Sequence, residues 1–269
     1  MKVRQISKGN WAVEVTEEDK KKLSCVISKL RSKTELPPYG RWKNMTLEEI
    51  WEELLGQFCV MRGTDAWDKL KEKKVEYREF LEKVELENLV NKENRIGFLR
   101  DTFRKYKPTI LVKKPEKEKS PHPDIPDRIE QFLNNKNAVK EGKLILFDGL
   151  DNLTNEDEIR DILLRRCSGS FKMKSISDFM IEIGIARSFI AFDSRIVGIL
   201  NRHFGPLMDG NPELKKVVGK IQSNEALYKT FERKLRDGCK EIGIELSLLD
   251  RMLFRFNSAI EYILEVECV

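Results

Sequence analysis

The polar stretch Ser168-Gly-Ser-Phe-Lys-Met-Lys174 interrupts two segments whose apolar residues recur at helical spacing. The spaced residues are Ile159, Ile162 and Leu163 before the stretch and Ile176, Phe179, Met180 and Ile183 after it. Thr154-Asn-Glu-Asp157 is a capping signal that opens the first segment, and Gly184 suits the end of the second. The pattern therefore predicts a helix, a tight turn at about 168–174 and a second helix, which together make a helical hairpin.

A hairpin of this shape suits contact with a nucleic-acid backbone. Its turn can direct backbone N–H groups and the N-terminus of its second helix at a DNA phosphate, because the helix dipole attracts an anion there. We expect Gly169, the only glycine of the turn, Ser170 and Lys172 to lie at the DNA, with Lys172 in contact with a phosphate. Any helical turn that contains glycine has the same pattern, so the turn by itself leaves a generic interpretation open.

A second signal lies downstream of the hairpin. One acid follows an apolar run, at the start of a new helix, in the stretch Phe189-Ile-Ala-Phe-Asp193-Ser-Arg-Ile-Val-Gly-Ile-Leu200. Lys174 precedes Asp193 by nineteen residues. On these residues the chain resembles the helix-hairpin-helix (HhH-GPD) DNA glycosylase/AP lyase superfamily, whose lysine-bearing members open the second hairpin helix with Lys and carry the Asp after an apolar run. The sequence Met173-Lys174-Ser-Ile-Ser-Asp-Phe179 looks most like the corresponding stretch of the archaeal-type 8-oxoguanine DNA glycosylases.

The resemblance covers roughly residues 46–70 and 155–256. Near its end the chain is similar to the closing helix of the family, with Phe254 where the family has Trp. The chain also departs from the family pattern. The family hairpin reads Gly-x-Gly, whereas this chain has Ser170 and Lys172 at those positions.

The resemblance implies an all-α fold of two lobes, one built from both chain ends and the other from the middle helices. It also implies that Lys174 attacks C1′ of a damaged nucleotide and forms a Schiff base, which releases the base and permits strand cleavage by β-elimination. Asp193 would stabilise the cationic sugar or shuttle a proton. The implied substrate is double-stranded DNA carrying an abasic site or an oxidised purine, above all 8-oxoguanine.

A glycosylase must also flip the damaged base out of the stack and hold it in a pocket. The residues expected at the flipped base are Phe192, Phe254 and Asp250, and those expected at the DNA are Arg195 and, as the wedge that fills the gap, Met61 or Arg62. These roles complete the predicted active site.

Ordinary structural roles remain open for the same residues. Lys174 can pair with Asp178 one helical turn later, and Asp193 can cap the helix that follows it. Phe192 and Phe254 can belong to the core. Two other functions therefore stay open: a glycosylase for another damaged or mismatched base, and a non-catalytic DNA-binding module that uses its hairpin for phosphates alone.

The rest of the chain reads as helical, apart from one short strand-like piece at Trp11–Val15. The predicted domains are an N-terminal appendage at 1–45 and a helical domain at 46–269. Residues 107–126 hold five of the nine prolines and many lysines, which predicts a basic linker. The other predicted helices span about 17–31, 46–63, 66–73, 77–86, 94–105, 127–134 and 137–148.

Charge is unevenly distributed along the chain. The 269 residues carry a net charge of +5, but residues 104–119 hold seven basic and two acidic side chains, and residues 165–204 hold seven and three. Two basic zones favour a polyanionic partner such as DNA, and solvated charged faces are the alternative. Charged residues reach 35%, mostly Lys and Glu, which is typical of proteins from hot environments.

The potential metal ligands are scattered. The five cysteines form no Cys-x-x-Cys pair, and the two histidines lie in unrelated contexts, so we predict no metal site, iron–sulfur cluster or other cofactor. No stretch approaches the length of a membrane span, and the N-terminus lacks the order of a signal peptide. We therefore expect a monomer of the prokaryotic cytoplasm, acting at the nucleoid without membrane contact.

Overall fold

The computed structural model describes residues 1–60, 65–117, 120, 122–210 and 212–268. Most of these residues form helices, and their strands make two small antiparallel pairs. The predicted helical fold class is therefore confirmed, with one more short β-hairpin than expected. No helix in the described ranges has the length and apolarity that crossing a membrane requires.

The elements follow one another along the chain with short connections. The helices are α1 Glu17–Leu30, α2 Leu47–Cys59, α3 Ala66–Glu72, α4 Lys74–Lys83, α5 Leu86–Val90, α6 Arg95–Tyr106, α7 Ile125–Leu133, α8 Glu156–Arg166, α9 Met173–Glu182, α10 Ser194–His203, α11 Leu214–Ser223, α12 Glu225–Glu241, α13 Leu246–Arg255 and α14 Asn257–Tyr262. The strands are β1 Lys2–Ser7, β2 Asn10–Glu14, β3 Val139–Lys140 and β4 Lys143–Leu144. Short 3-10 helices span Arg31–Lys33, Arg41–Asn44 and Pro115–Lys117, and a π-helical turn spans Ile263–Glu267.

The chain divides into two compact units. The terminal unit is Met1–Arg41 with Met173–Val269, and the middle unit is Trp42–Lys172. In the terminal unit, β2 packs on α12, and α1 contacts the π-helical turn. The first forty-one residues are therefore an integral part of that unit, where the sequence suggested a separate appendage at 1–45.

Capping signals determine where several helices begin. The Thr46 hydroxyl accepts a hydrogen bond from the Glu49 N–H, and the Glu49 carboxylate accepts one from the Thr46 N–H, so α2 opens with the predicted capping box. In α8 the cap is Asn155 rather than Thr154. The Asn155 side chain accepts hydrogen bonds from the N–H groups of Asp157 and Glu158, and the helix therefore begins at Glu156. Caps of this kind each stabilise a helix by about 1 kcal/mol.

The prediction of a helix at 137–148 is wrong. This stretch instead forms the hairpin of β3 and β4, with Val139 opposite Leu144. The connecting residues Glu141 and Gly142 have φ angles of 50° and 79°, the left-handed values that a tight two-residue hairpin turn requires. Gly142 reaches this conformation without strain, so turn chemistry outweighs the helical spacing of the apolar residues.

The segment predicted as a basic linker is bonded to the neighbouring helices at Lys113. Arg104 on α6 donates a hydrogen bond to the Lys113 carbonyl. The Lys113 amine lies 2.7 Å from an Asp127 carboxylate oxygen and donates to the Ser120 carbonyl. The Lys113 side chain is 11% exposed. The segment therefore belongs to the middle unit, and Lys113 holds that unit together rather than standing ready for a phosphate.

An aromatic cluster anchors the end of the predicted hairpin turn in the middle unit. The Phe171 ring lies 4.4 Å from that of Phe58 and 6.2 Å from that of Phe132, measured between centroids. All three rings are buried. Truncating such a ring to alanine typically costs about 3–5 kcal/mol, so Phe171 fixes the chain just before Lys172.

A disulfide joins two distant parts of the terminal unit. Cys25 on α1 is bonded to Cys268, which directly follows the π-helical turn, and 243 positions separate the two residues. The other three cysteines, Cys59, Cys167 and Cys239, are buried and form no disulfide. The pairing of Cys25 with Cys268 is not predicted from the sequence, because a bond over such a distance leaves no local pattern.

Candidate active site

Lys174 lies in the first turn of α9, as the hairpin pattern predicts. Its amine is 3.4 Å from an Asp178 carboxylate oxygen, and its side chain is 23% exposed. The structure therefore contains the ordinary interaction predicted for Lys174, an ion pair with Asp178 one helical turn later. Such a pair contributes only about 0.2–0.5 kcal/mol to a helix, so the amine is held weakly.

Asp178 has a second and stronger partner in Arg251 on α13. An Arg251 guanidinium nitrogen donates to Asp178 at 3.0 Å, and the other terminal nitrogen lies 3.2 Å from Glu182 and 3.7 Å from Asp250. The Arg251 side chain is 3% exposed. Burial by itself would lower the Arg251 pKa, but the three carboxylates raise it overall. We call Asp178, Glu182, Asp250 and Arg251 the buried charge cluster.

Asp250 is the innermost member of the buried charge cluster. Its carboxylate accepts a hydrogen bond of 2.7 Å from the Ala191 N–H, and the residue is 1% exposed. Burial raises the pKa of Asp250 to about 7, and the charges of Asp178 and Asp193 also raise it, whereas Arg251 opposes the shift. The charges of Asp178, which pairs with Lys174, and of Asp193 therefore both act on the Asp250 carboxyl.

Asp193 is the N-cap of α10. One of its oxygens, Oδ1, accepts from the Ile196 N–H at 2.8 Å, and the other, Oδ2, accepts from Arg195 Nε at 3.2 Å. The ordinary interpretation of Asp193 is thus also realised, since its side chain satisfies a free N–H of the first helical turn. Its carboxylate has one oxygen in the cap and one in contact with a movable side chain.

The apolar run before Asp193 is held by side chains from two helices. Tyr228 on α12 accepts from the Phe192 N–H and donates to the Ile190 carbonyl. The Ile190 N–H donates to Glu232 on the same helix, and Asp250 on α13 accepts from the next N–H along. These bonds satisfy the buried backbone of an irregular segment, so Asp193 is presented from a rigid support.

The two aromatic residues predicted for the base pocket differ in position. Phe192 is wholly buried, with its ring 4.8 Å from that of Phe231 and 4.9 Å from that of Tyr228. Both neighbours are core residues, so Phe192 packs in the interior, as its ordinary structural role predicts. Phe254 is only partly buried, and the Arg195 guanidinium stacks 3.9 Å from its ring centroid.

The hairpin turn belongs to the middle unit, which ends at Lys172. Gly169 has a φ of 86°, a left-handed value that glycine adopts without strain. Ser170 is buried, and among the described residues its hydroxyl has no hydrogen-bond partner, so its side chain is not presented to solvent as a phosphate contact requires. Lys172 is exposed. The predicted wedge, Met61 or Arg62, lies outside the described residues.

Sequence reasoning missed the residues that connect the site. Asp178 was considered only as a helix partner of Lys174, and Arg251 and Tyr228 were not considered at all. One signal was available for Arg251. Asp250 and Arg251 interrupt the mostly apolar stretch Leu246–Leu253, and a charged pair inside a buried helix predicts further charged partners nearby.

No protein family model, curated protein or solved structure matches this chain. Within the ranges that the structure describes, no group of three or more His, Cys, Asp or Glu side chains is arranged to hold a metal ion.

Proposed function

We propose that this chain is a DNA glycosylase with AP lyase activity, in which Lys174 is the nucleophile and Asp193 the assisting carboxylate. One observation carries the proposal. A continuous chain of contacts in the terminal unit leads from Lys174 through Asp178 and Arg251 to Asp250, which accepts a hydrogen bond from the backbone two residues before Asp193. The proposed substrate is double-stranded DNA with an oxidised purine, 8-oxoguanine being the base that the family resemblance favours.

The proposed reaction begins when the neutral Lys174 amine attacks C1′ of the damaged nucleotide. The C1′–N bond breaks, and the base leaves with the bonding electrons and takes up the proton that the attacking nitrogen loses. The C1′–O4′ bond then breaks, O4′ takes a proton from water, and the nitrogen lone pair forms a protonated Schiff base; loss of a C2′ proton to water then expels the 3′ phosphate. The Asp193 carboxylate stabilises the positive charge that develops on the sugar.

The buried charge cluster suits a lysine that must leave its ion pair to react. When Lys174 moves to a substrate, Asp178 keeps its hydrogen bond to Arg251, so its charge remains compensated. A buried carboxylate that lost its partner completely would be strongly destabilising. The arrangement therefore allows the amine to move without a large electrostatic cost.

Borohydride trapping tests the proposal directly, because it reduces the Schiff base to a stable protein–DNA adduct. Wild-type protein should form the adduct with abasic or 8-oxoguanine duplexes, and Lys174→Gln should form none while retaining affinity for DNA. Lys172→Gln is the matched control, since Lys172 is exposed two residues earlier and should affect binding alone. Trapping that survives Lys174→Gln would contradict the proposed nucleophile.

A non-catalytic DNA-binding module is the second candidate function. It is favoured by the fact that the Asp178 ion pair accounts for Lys174, and the helix cap accounts for Asp193, without any chemistry. Incubation with abasic duplex distinguishes the two functions, because a binding module leaves the strand intact. A panel of duplexes, each with a different lesion, would identify the excised base.

A further inference from the structure

Arg195 contacts two groups of the candidate site at once. Its guanidinium carbon lies 3.9 Å from the centroid of the Phe254 ring, and its Nε donates to Asp193 Oδ2 at 3.2 Å. Asp193 Oδ1 is already engaged by the helix cap of α10. One side chain therefore covers a face of Phe254 together with the carboxylate oxygen of Asp193 that the cap leaves available.

We propose that Arg195 is a specificity-determining gate that a planar nucleobase must displace from Phe254 in order to enter the site. The proposal rests on the proposed function. A flat guanidinium and a planar base both stack on aromatic rings, so they compete for the same face. Phe254 suits this role because it is only partly buried, whereas the Phe192 ring is enclosed by its neighbours.

The position of Arg195 allows it to move. Its side chain is 46% exposed, and its contacts to Asp193 and Phe254 are made by the end of a long flexible stem. A rotation of that stem uncovers Phe254 and releases Asp193 Oδ2 in the same movement. Base entry and exposure of the carboxylate are thereby coupled, so a base that stacks poorly on Phe254 leaves Asp193 engaged.

The experiment compares two reactions that differ only in whether a base must enter. The first is excision of 8-oxoguanine from a duplex, measured in a single turnover with saturating protein so that affinity does not contribute. The second is borohydride trapping on an abasic duplex, which has no base to stack. The variants are Arg195→Ala, Arg195→Lys and the control Arg202→Ala, which removes an exposed arginine from the same helix, where it pairs with Glu261.

Arg195→Ala should raise the ratio of excision rate to abasic-trapping rate roughly two- to fivefold, the factor that corresponds to an exposed cation–π contact, because only excision requires a base to displace the guanidinium from Phe254. Arg195→Lys keeps the charge without the flat guanidinium, so its ratio should lie between those of the wild type and Arg195→Ala. Arg202→Ala should change neither reaction. An unchanged or lowered ratio in Arg195→Ala, with normal wild-type activity and an unaltered melting curve, would overturn the gate alone. A wild-type protein that neither excises nor traps would overturn the proposed function, and the gate with it.

Discussion

The disulfide between Cys25 and Cys268 should contribute a large share of the stability of the terminal unit. Cys268→Ser removes this covalent link between α1 and the end of the π-helical turn. In the chain-entropy treatment, a loop of 243 residues corresponds to about 5.5 kcal/mol at 25 °C. If the middle unit stays folded, the flexible part of the loop shrinks to about 110 residues and the value to about 4.8 kcal/mol.

Contacts that remain after the substitution reduce the expected loss. The Lys29 amine lies 2.7 Å from a Glu267 carboxylate oxygen, and Ile263 and Leu264 in the π-helical turn are buried. These contacts keep the turn near α1 without the bridge. We therefore expect the free energy of unfolding to fall by about 3–5 kcal/mol, which corresponds to a fall in melting temperature of roughly 10 °C or more for a unit of this size.

Two measurements test this reasoning. Alkylation in denaturant without reductant should label three cysteines of the wild type, and all five after reduction, because three thiols are free. Thermal unfolding of Cys25→Ser, Cys268→Ser and reduced wild type should then give one common lowered midpoint, and reductant should not shift either variant. Five labelled cysteines in unreduced protein, or equal midpoints for reduced and oxidised wild type, would refute it.

Three further predictions concern single side chains. Burial raises the pKa of Asp250 to about 7 in the folded protein, above the value of about 3.9 in an unfolded chain. The protonated Asp250 carboxyl therefore contributes fully to the free energy of unfolding below about pH 4, and this contribution is lost as the pH rises through 7. The melting temperature should accordingly fall between pH 5 and pH 8, and it should fall less in Asp250→Asn. Asp193→Asn keeps a good N-cap but loses the charge, so it should melt normally while excising roughly a hundredfold more slowly, and unfolding with normal excision per folded molecule would mark Asp193 as a cap alone. Lys114→Ala removes an exposed cation and should reduce the salt dependence of DNA binding by about one charge. Lys113→Ala should instead destabilise the middle unit, because it breaks the ion pair with Asp127. An unchanged salt slope for Lys114→Ala would argue against a DNA contact at that residue.

The features predicted well from the sequence depend on neighbouring residues. The capping box at Thr46 and the cap at Asp193 each involve side chains and N–H groups three residues apart, so the local pattern contains the whole interaction. The same holds for the pair of Lys174 and Asp178 at i+4. At 139–144 the sequence predicts a helix, whereas the left-handed residues Glu141 and Gly142 form the two-residue turn of a hairpin.

The features that the sequence could not supply depend on residues far apart in the chain. Arg251 reaches Asp178 across 73 positions, and Ala191 reaches Asp250 across 59. Such contacts appear only once α9, α10 and α13 have packed, so neither the buried charge cluster nor the contact of Arg195 with Phe254 could be predicted. The sequence did indicate Lys174, which pairs with one member of the cluster, and Asp193, which lies two residues after the backbone group that Asp250 binds.

The division into a terminal and a middle unit has a consequence for how the protein is made. The middle unit is one uninterrupted stretch, Trp42–Lys172, so its contacts are all available once that stretch has left the ribosome. Residues 1–41 are synthesised before the middle unit, but α1 must wait for Cys268, 243 positions after Cys25, and for the π-helical turn beside it. Until then the apolar face of α1, including Leu23, Val26 and Leu30, lacks these native partners. The helix is therefore exposed to chaperones and to mispairing while the whole of the middle unit is made.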